Sequence, residues 1–596
     1  MPTLFKPAAI SLLTIFAISI TGCTQTVTPP DDPGKPTEKI DDWVYDPTKY
    51  DEEDGFFGRT NSKMTGAGAP QLAMESAMAP APGSGNIGFS VGGAKDIGNF
   101  RENIENNYLP IPTDITYEGL FYNYFFDTGQ EEECNKLFCP SYATAISSDP
   151  FSNEEEYYLS VGLNSGMKES DFERKKLNLV IVMDVSGSMG SEFSKYYYDR
   201  FGNEMEREDT EESGKSKMEI ANNSVVALLD HLEDDDKFGM VLFDDYSYLA
   251  KPLTEVGSVD MDKIKDHILD IEDQGGTNME AGMKEGTSLL TEVSDANPDK
   301  YENRIIFITD AMPNLGDTDD ESLLGMLQNN AEDSIYTTFV GVGVDFNTEL
   351  VEALTKIRGA NYYSVHSEKE FKETMDEGFD YMVTPLVFDL ELKLEADGYE
   401  IEKVYGSPEA DEATGEIMKV NTLFPSKTEE GEVKGGIVLL KLNKSSEDGN
   451  LTLKVTYEDR NGKEDSDSKE ITFEDKREDY YDNLGIRKAI VLTRYVSLMK
   501  AWAMEGHANA GKPEPIPVPC PIIIMERGIY PPEPPFLPPC FIELGEWERQ
   551  SVDLDVDSNY RKLFDEFGEY LEDEIGEIGD SEMEQENEIL EDLIES

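Results

Sequence analysis

Histidine is scarce: the 596 residues hold four, at His231, His267, His366 and His507. None stands at a Cys, Asp or Glu spacing that suits zinc or a nucleophilic triad, so each reads as an ordinary surface or core residue. The sequence also lacks a G-x-x-x-x-G-K-[ST] phosphate loop, which leaves ATP hydrolysis without a candidate residue, and its one G-x-S-x-G string, Gly88-Phe89-Ser90-Val91-Gly92, has no triad partner among those histidines. Basic residues are few, 51 Lys and Arg against 124 Asp and Glu, for a formal net charge of -73. Coulomb repulsion at that charge opposes nucleic acid and anionic membrane surfaces. The acidity is spread along the chain, as on a solvated surface, rather than gathered in one tail. Long apolar runs are missing apart from Ala8 to Ile20, which is too short for an ordinary bilayer-spanning helix. Placed after Lys6, that stretch reads as the h-region of a signal peptide.

The residues next in the chain point to export. Ile20-Thr21-Gly22-Cys23 resembles the lipobox of prokaryotic lipoproteins, which implies that residues 1–22 are removed and that Cys23 carries lipid. The expected location is the extracytoplasmic face of a cell membrane, at the cell surface or in a periplasm, with membrane contact through the anchor alone. Cysteine is sparse too. Besides Cys23 there are Cys134, Cys139, Cys520 and Cys540, two local pairs suited to disulfides 134–139 and 520–540 in an oxidising compartment. A four-cysteine zinc site is the alternative, but neither pair has knuckle spacing and no histidine lies beside them.

Composition divides the rest. Residues 23–86 are polar and rich in Pro, Gly, Ala and Met, a flexible stalk with little to bury. Residues 87–176 form an N-terminal companion region of mixed α/β character, whose aromatics Tyr117, Phe121, Tyr122, Tyr124, Phe125 and Phe126 suit core packing. From 177 to 385, apolar runs at Leu179–Met183, Phe238–Phe243, Arg304–Thr309, Thr337–Val342 and Asn361–Val365 alternate with amphipathic stretches such as Lys217–Leu232. Runs apolar on both faces predict central parallel strands, hence an α/β fold with a doubly wound, mostly parallel, Rossmann-like sheet. Residues 386–477 predict an antiparallel β-sandwich, and the strand Glu156–Leu163 is placed to pair with it, making the α/β domain an insertion. Residues 478–596 predict helices around a Pro-rich insertion at 512–540. There Leu492, Tyr495, Val496, Met499, Trp502 and Ala503 share one face, and the stripe from Tyr560 to Ile575 is expected to pack on it.

One constellation carries chemistry. Asp184-Val185-Ser186-Gly187-Ser188 follows the first apolar strand, Gly275-Gly276-Thr277-Asn278 precedes a helix, and Thr309-Asp310 ends a later strand. In doubly wound sheets ligands sit outside the carboxyl ends of strands, where these loops converge. D-x-S-x-S alone is ordinary turn chemistry, but the ordered set is specific. The set resembles the metal-ion-dependent adhesion site of von Willebrand factor type A domains, a likeness that spans Leu177 to about Val383. The resemblance implies Ser186, Ser188 and Thr277 as direct ligands, with Asp184 and Asp310 acting largely through water and hydrogen bonds. Mg²⁺ is the implied ion, with Mn²⁺ or Ca²⁺ as alternatives.

Neutral hydroxyls leave a divalent ion much of its charge, so an open position suits an Asp or Glu from a protein partner. The resemblance therefore implies adhesion rather than catalysis. The alternatives are a structural subunit of a cell-envelope complex, its site permanently filled by a companion carboxylate, and an enzyme that no motif nominates. Two departures stand out: Ala311 follows Asp310 where the family commonly has glycine, and an acidic, Tyr-rich insertion runs from Gly190 to Ser216. That insertion suits either a lid on the binding rim or a solvated loop.

Overall fold

A run such as Leu177–Asp184, buried at every position, can only be a strand covered on both sides. In the computed structural model it lies at the centre of a six-stranded sheet. The structure describes residues 39–49, 86–93, 95, 97–105, 107–130, 135–191, 196–198, 204–206, 215–291, 300–310, 322–342, 356–365, 378–407, 417–429, 431–446, 450–471, 473, 479–510, 516–518, 540–542, 552 and 554–596. The chain divides into Met1–Lys39 and Ile40–Ser596, and the described helices and strands lie in the second unit.

The elements of the α/β domain are β1 (Lys176–Asp184), α1 (Lys217–Leu228), β2 (Lys237–Phe243), β3 (Ser247–Glu255), α2 (Met261–Leu269), α3 (Met279–Thr291), β4 (Tyr301–Thr309), α4 (Leu323–Glu332), β5 (Ile335–Val342) and β6 (Asn361–Val365). Across the sheet they run β3-β2-β1-β4-β5-β6. All neighbours are parallel except β3, which pairs antiparallel with β2 at one edge. Successive side chains of a strand face opposite sides. Leu179, Ile181 and Met183 accordingly pack with Ile220 and Val225 of α1 and Ile264 and Ile268 of α2. Val180 and Val182 face the other way, onto Met283 and Leu290 of α3 and Leu327 of α4. Full burial of each such side chain contributes roughly 1.5–3 kcal/mol, so the scaffold under the loops is held at many points. Gly286 lets α3 come this close, because a Cβ there would lie 2.5 Å from Val182. A reciprocal capping box starts α1: Ser216 accepts from the Glu219 N–H at 3.0 Å, and Glu219 accepts from the Ser216 N–H at 2.9 Å. Strand β3 had no sequence signal. It carries Lys251 and Pro252 at the sheet edge, where proline leaves no central ladder bond unmade.

The β-rich remainder forms a second, ten-stranded sheet. Glu155–Lys168 pairs antiparallel with Ile437–Lys444, from Tyr157 opposite Leu442 to Gly162 opposite Ile437, so the α/β domain is inserted between strands of this sheet. The apolar faces of its strands, including Phe89, Val161, Leu392, Leu440 and Leu453, meet in a core without helical residues. The sheet therefore curls over its own face, and the two layers expected of a sandwich are joined by continuous hydrogen bonding. Where the chain enters and leaves the α/β domain, Arg460 ties the two ends together. Its N–H donates to Leu386 O at 3.1 Å, its guanidinium reaches Glu173 O at 3.4 Å, and Lys175 Nζ donates to Arg460 O at 3.2 Å.

Helices α5 (Leu484–Ala510), α6 (Ser558–Ile578) and α7 (Glu584–Glu595) close the chain. The Trp502 ring meets Phe564 edge-on at 5.7 Å, and Tyr495 lies 6.5 Å from Phe567, so the two apolar stripes face each other as their spacing predicted. Phe121, Tyr124 and Phe126 belong to the same core. Residues 87–176 are thus shared between this helical core and the second sheet rather than forming a body of their own. Within the expected stalk, Ile40 to Tyr45 lie along the edge of the α/β domain, with the Val44 N–H donating to Ala250 O at 2.9 Å. Among the described residues no helix is long and apolar enough to cross a membrane.

Candidate metal centre

The strand order reverses between β1 and β4, the switch point beyond whose carboxyl ends doubly wound sheets hold their ligands. Asp184 closes β1 there, fully buried. Both its oxygens are engaged: Oδ1 accepts from the Ser186 N–H at 2.8 Å and Oδ2 from the Thr309 hydroxyl at 2.6 Å. Above it, Ser186 Oγ lies 3.0 Å from Ser188 Oγ, and Ser188 Oγ donates to Asp310 Oδ1 at 2.8 Å. Four of the five oxygen residues expected from the sequence are therefore linked in one network. Thr277, the fifth, stands exposed on the loop before α3. That loop lies beside the serines, since the Gly187 N–H donates to Gly275 O at 3.1 Å and the Gln274 N–H to Val185 O at 2.5 Å.

Several residues that build the site carry no motif. Asp244, at the end of β2, accepts from the Tyr246 N–H at 2.8 Å and from the Tyr248 hydroxyl at 2.9 and 3.0 Å. Its backbone carbonyl takes the Asn278 N–H at 2.6 Å, and Asp245 takes the Gly276 N–H at 2.9 Å. These contacts explain the paired glycines. Gly275 sits at φ +70°, and a Cβ there would come within 2.9 Å of the Asp244 carboxylate. Lys217, first residue of α1, donates to Asp310 Oδ2 at 2.9 Å with both side chains buried. The only signal for Asp244 and Asp245 was their place at the end of a parallel strand.

Burial pushes the Asp184 carboxyl up to about 6, against the pull of its bonds from Thr309 and Ser186, and the nearby Asp310 adds to the rise. A cation would reverse that penalty. The donors suit a hard divalent ion: adjacent ligands of an octahedral Mg²⁺ at about 2.0–2.1 Å sit roughly 2.9 Å apart. The spacing of 3.0 Å between Ser186 Oγ and Ser188 Oγ matches this, while Asp310 stands behind Ser188 as its acceptor at 2.8 Å. Among the described residues no three His, Cys, Asp or Glu side chains gather to hold a metal, so a purely acidic or thiolate site is not present there.

A family model described as von Willebrand factor type A domain matches residues 179–312, from the first strand through the last of these donors. The chain contains a von Willebrand factor type A domain. Domains of this class commonly mediate protein–protein binding and commonly hold a divalent ion. Over 217 residues the chain is 24% identical to inter-alpha-trypsin inhibitor heavy chain H4 of Homo sapiens, covering 35% of this chain and 20% of that protein. It is 22% identical over 228 residues to heavy chain H1 of Sus scrofa, covering 37% and 22%. The match therefore spans about a fifth of the length of these relatives. Among solved structures, von Willebrand factor type A from Catenulispora acidiphila aligns over 65% of this chain and 84% of its own, with 14% identity and a TM-score of 0.36.

Cys139 is disulfide-bonded, while Cys134 falls outside the described residues, as do Cys23, Cys520, His366 and Ala311. The backbone of Cys540 pairs with Val518 in a short ladder. His231 stacks on Phe379 at 5.6 Å, His267 on Trp43 at 5.3 Å, and His507 Nε2 lies 3.1 Å from Pro110 O. Each of these three histidines has a structural partner. In the insertion after the metal loop, Tyr196–Tyr198 pairs antiparallel with Glu204–Glu206, and Ser191 O accepts the Lys217 N–H at 3.0 Å.

Proposed function

We propose that this chain is a lipid-anchored, extracytoplasmic protein that captures a protein ligand through a divalent ion held in its type A crevice. Ser186, Ser188 and Thr277 would hold the ion, with Asp184 and Asp310 fixing the hydroxyls from behind. When bound, the ion supplies a strongly positive position able to accept an Asp or Glu from a partner. The observation that carries this reading is the pair of hydroxyls of Ser186 and Ser188, 3.0 Å apart at the switch point of the sheet, with Ser188 held from behind by Asp310 at 2.8 Å. The chain's own residues do the rest. Asp184 uses both oxygens to orient Ser186 and Thr309, so it serves as an anchor rather than as an open ligand. Exposed Tyr246 and Thr277 at the mouth would supply contacts beyond the ion. The site's hydroxyls are taken up by the ion and by the carboxylates that orient them, so binding without turnover is the proposed role.

The test uses soluble protein beginning at Thr24. Mn²⁺ uptake followed by electron paramagnetic resonance should show one site in the wild type and none in Asp184→Ala. Capture of Glu-containing peptides from a display library should require Mg²⁺ or Mn²⁺ and stop on chelation. Uptake unaffected by Asp184→Ala, or capture indifferent to chelator, would overturn the proposal; the second result would favour a permanently filled structural site.

A further inference from the structure

The short segment before the main body touches the metal loop from behind. Ile40 joins the edge of the type A domain through its N–H to Ser258 O at 3.1 Å and through the Asp260 N–H to Ile40 O at 2.8 Å. Asp42 then turns inward. Its Oδ2 accepts from the buried Lys251 ammonium at 3.1 Å and from the Thr254 hydroxyl at 2.5 Å. Lys251 is fully buried and also donates to Phe238 O at 2.9 Å, so it sits in β3 as a prepared socket for a carboxylate from this segment. Trp43 lies flat on His267 of α2, with 5.3 Å between ring centroids and 11° between planes, and Asp41 Oδ2 is 3.1 Å from His267 Nε2. These contacts fix where Tyr45 must fall. Its hydroxyl accepts from Gln274 Nε2 at 3.0 Å, and its ring lies 5.7 Å from that of Tyr248.

Gln274 and Tyr248 are the two residues that hold the metal loop from below. The Gln274 N–H binds Val185 O within D-x-S-x-S, and its side chain also steadies the Asp244 carboxylate. Tyr248 donates to that same carboxylate, against which Gly275 packs. We infer that Ile40–Tyr45 is a strap: it orders the loop at 274–278 through Tyr45, so that releasing the strap loosens the loop carrying Thr277. Its effect on ion affinity rests on the metal-site reading, but the ordering of the loop is a property of the chain alone. Any change in the chain ahead of Ile40 that lifts the strap would thereby lower affinity at the crevice. Tyr45 acts as a positioning residue and touches no ligand.

Hydrogen exchange on metal-free full-length protein reads the ordering directly. Tyr45→Phe removes one hydrogen-bond acceptor and should speed exchange of a peptide covering 272–278 roughly fivefold, the equivalent of one net hydrogen bond. Asp42→Ala combined with Trp43→Ala should speed it further. In Tyr45→Phe, peptides covering 177–183 and 304–309 should not change, and Mn²⁺ affinity should fall by a similar factor at constant melting temperature. Unchanged exchange at 272–278, or a rise shared equally by the strand peptides, would overturn the strap. If the wild type takes up no Mn²⁺, the metal reading fails, while the exchange measurement still decides the strap.

Discussion

Two aspartates, each fully buried, sit at opposite ends of the same six-stranded sheet. At the end where β1 and β2 begin, Asp236 is enclosed by Arg174, whose NH1 and NH2 approach at 3.0 and 2.6 Å. It also receives the N–H groups of Leu177 at 2.8 Å and Glu233 at 2.7 Å. At the carboxyl end, Asp184 receives one N–H and one hydroxyl, and no basic side chain contacts it among the described residues. Burying a carboxylate is costly, and a bidentate guanidinium offsets the cost at one end. At the other end the charge is left for something the chain does not contain. A fold tolerates such an imbalance where an ion or ligand is to be received, and this contrast separates the working end of the sheet from the supporting end.

The contrast can be broken by exchanging the consequences of the two mutations. Asp236→Ala should cost about 3–5 kcal/mol in chemical denaturation, because it leaves Arg174 buried without its main partner, while the folded fraction still takes up Mn²⁺. Asp184→Asn should behave in the opposite way in the absence of metal. Its carboxyl titrates near 6 in the fold against an ordinary 3.8, so the folded state holds the proton more tightly. Stability of the metal-free wild type should therefore fall as pH rises from about 4 to about 6, by up to about 3 kcal/mol. Asp184→Asn should lack that loss, and saturating Mg²⁺ should remove it from the wild type; parallel melting curves for the two proteins across this range would sink the assignment. Ser188→Ala, which deletes one hydroxyl donor and the link to Asp310, should weaken Mn²⁺ binding by about tenfold or more without altering the metal-free melting temperature. The smallest effect is expected of Lys217→Met. Removing a resident positive charge beside Asp310 should raise Mn²⁺ affinity by about threefold in the same titration.

Much of the α/β domain was legible because its strands are buried on both faces and so spell continuous Val, Ile and Phe. Asp184, Ser186, Ser188 and Asp310 were legible because D-x-S-x-S and T-D each close such a strand, and the structure joins these four. Thr277 is brought alongside on its loop. The features that escaped depend on contacts between residues distant in sequence. Lys217 read as the first residue of an amphipathic helix, and nothing local marks it as the partner of Asp310, 93 positions away. Asp244 and Gln274 looked like loop polars. Strand β3 was hidden by Lys251 and Pro252, and the burial of Lys251 becomes intelligible only with Asp42 beside it, 209 residues earlier. The same polar composition made residues 40–45 look like tether, although Trp43 and Tyr45 are the kind of side chains that seek a surface. The sandwich was foreseen as alternating strands, but alternation specifies which face is apolar and does not say whether one sheet or two will cover it.

The Arg460 tie at the neck of the type A domain has a thermodynamic corollary. Because the chain re-emerges where it went in, the surrounding sheet feels only a fixed gap, whatever occupies it. Each doubling of a closed excursion costs only about 0.6 kcal/mol of closure entropy, and a neck already pinned removes most dependence on what lies beyond it. The ion-binding module is in that sense a cartridge. Its own loops, the acidic segment after the serines above all, are free to lengthen or be rewritten for a new quarry without renegotiating the framework that carries them.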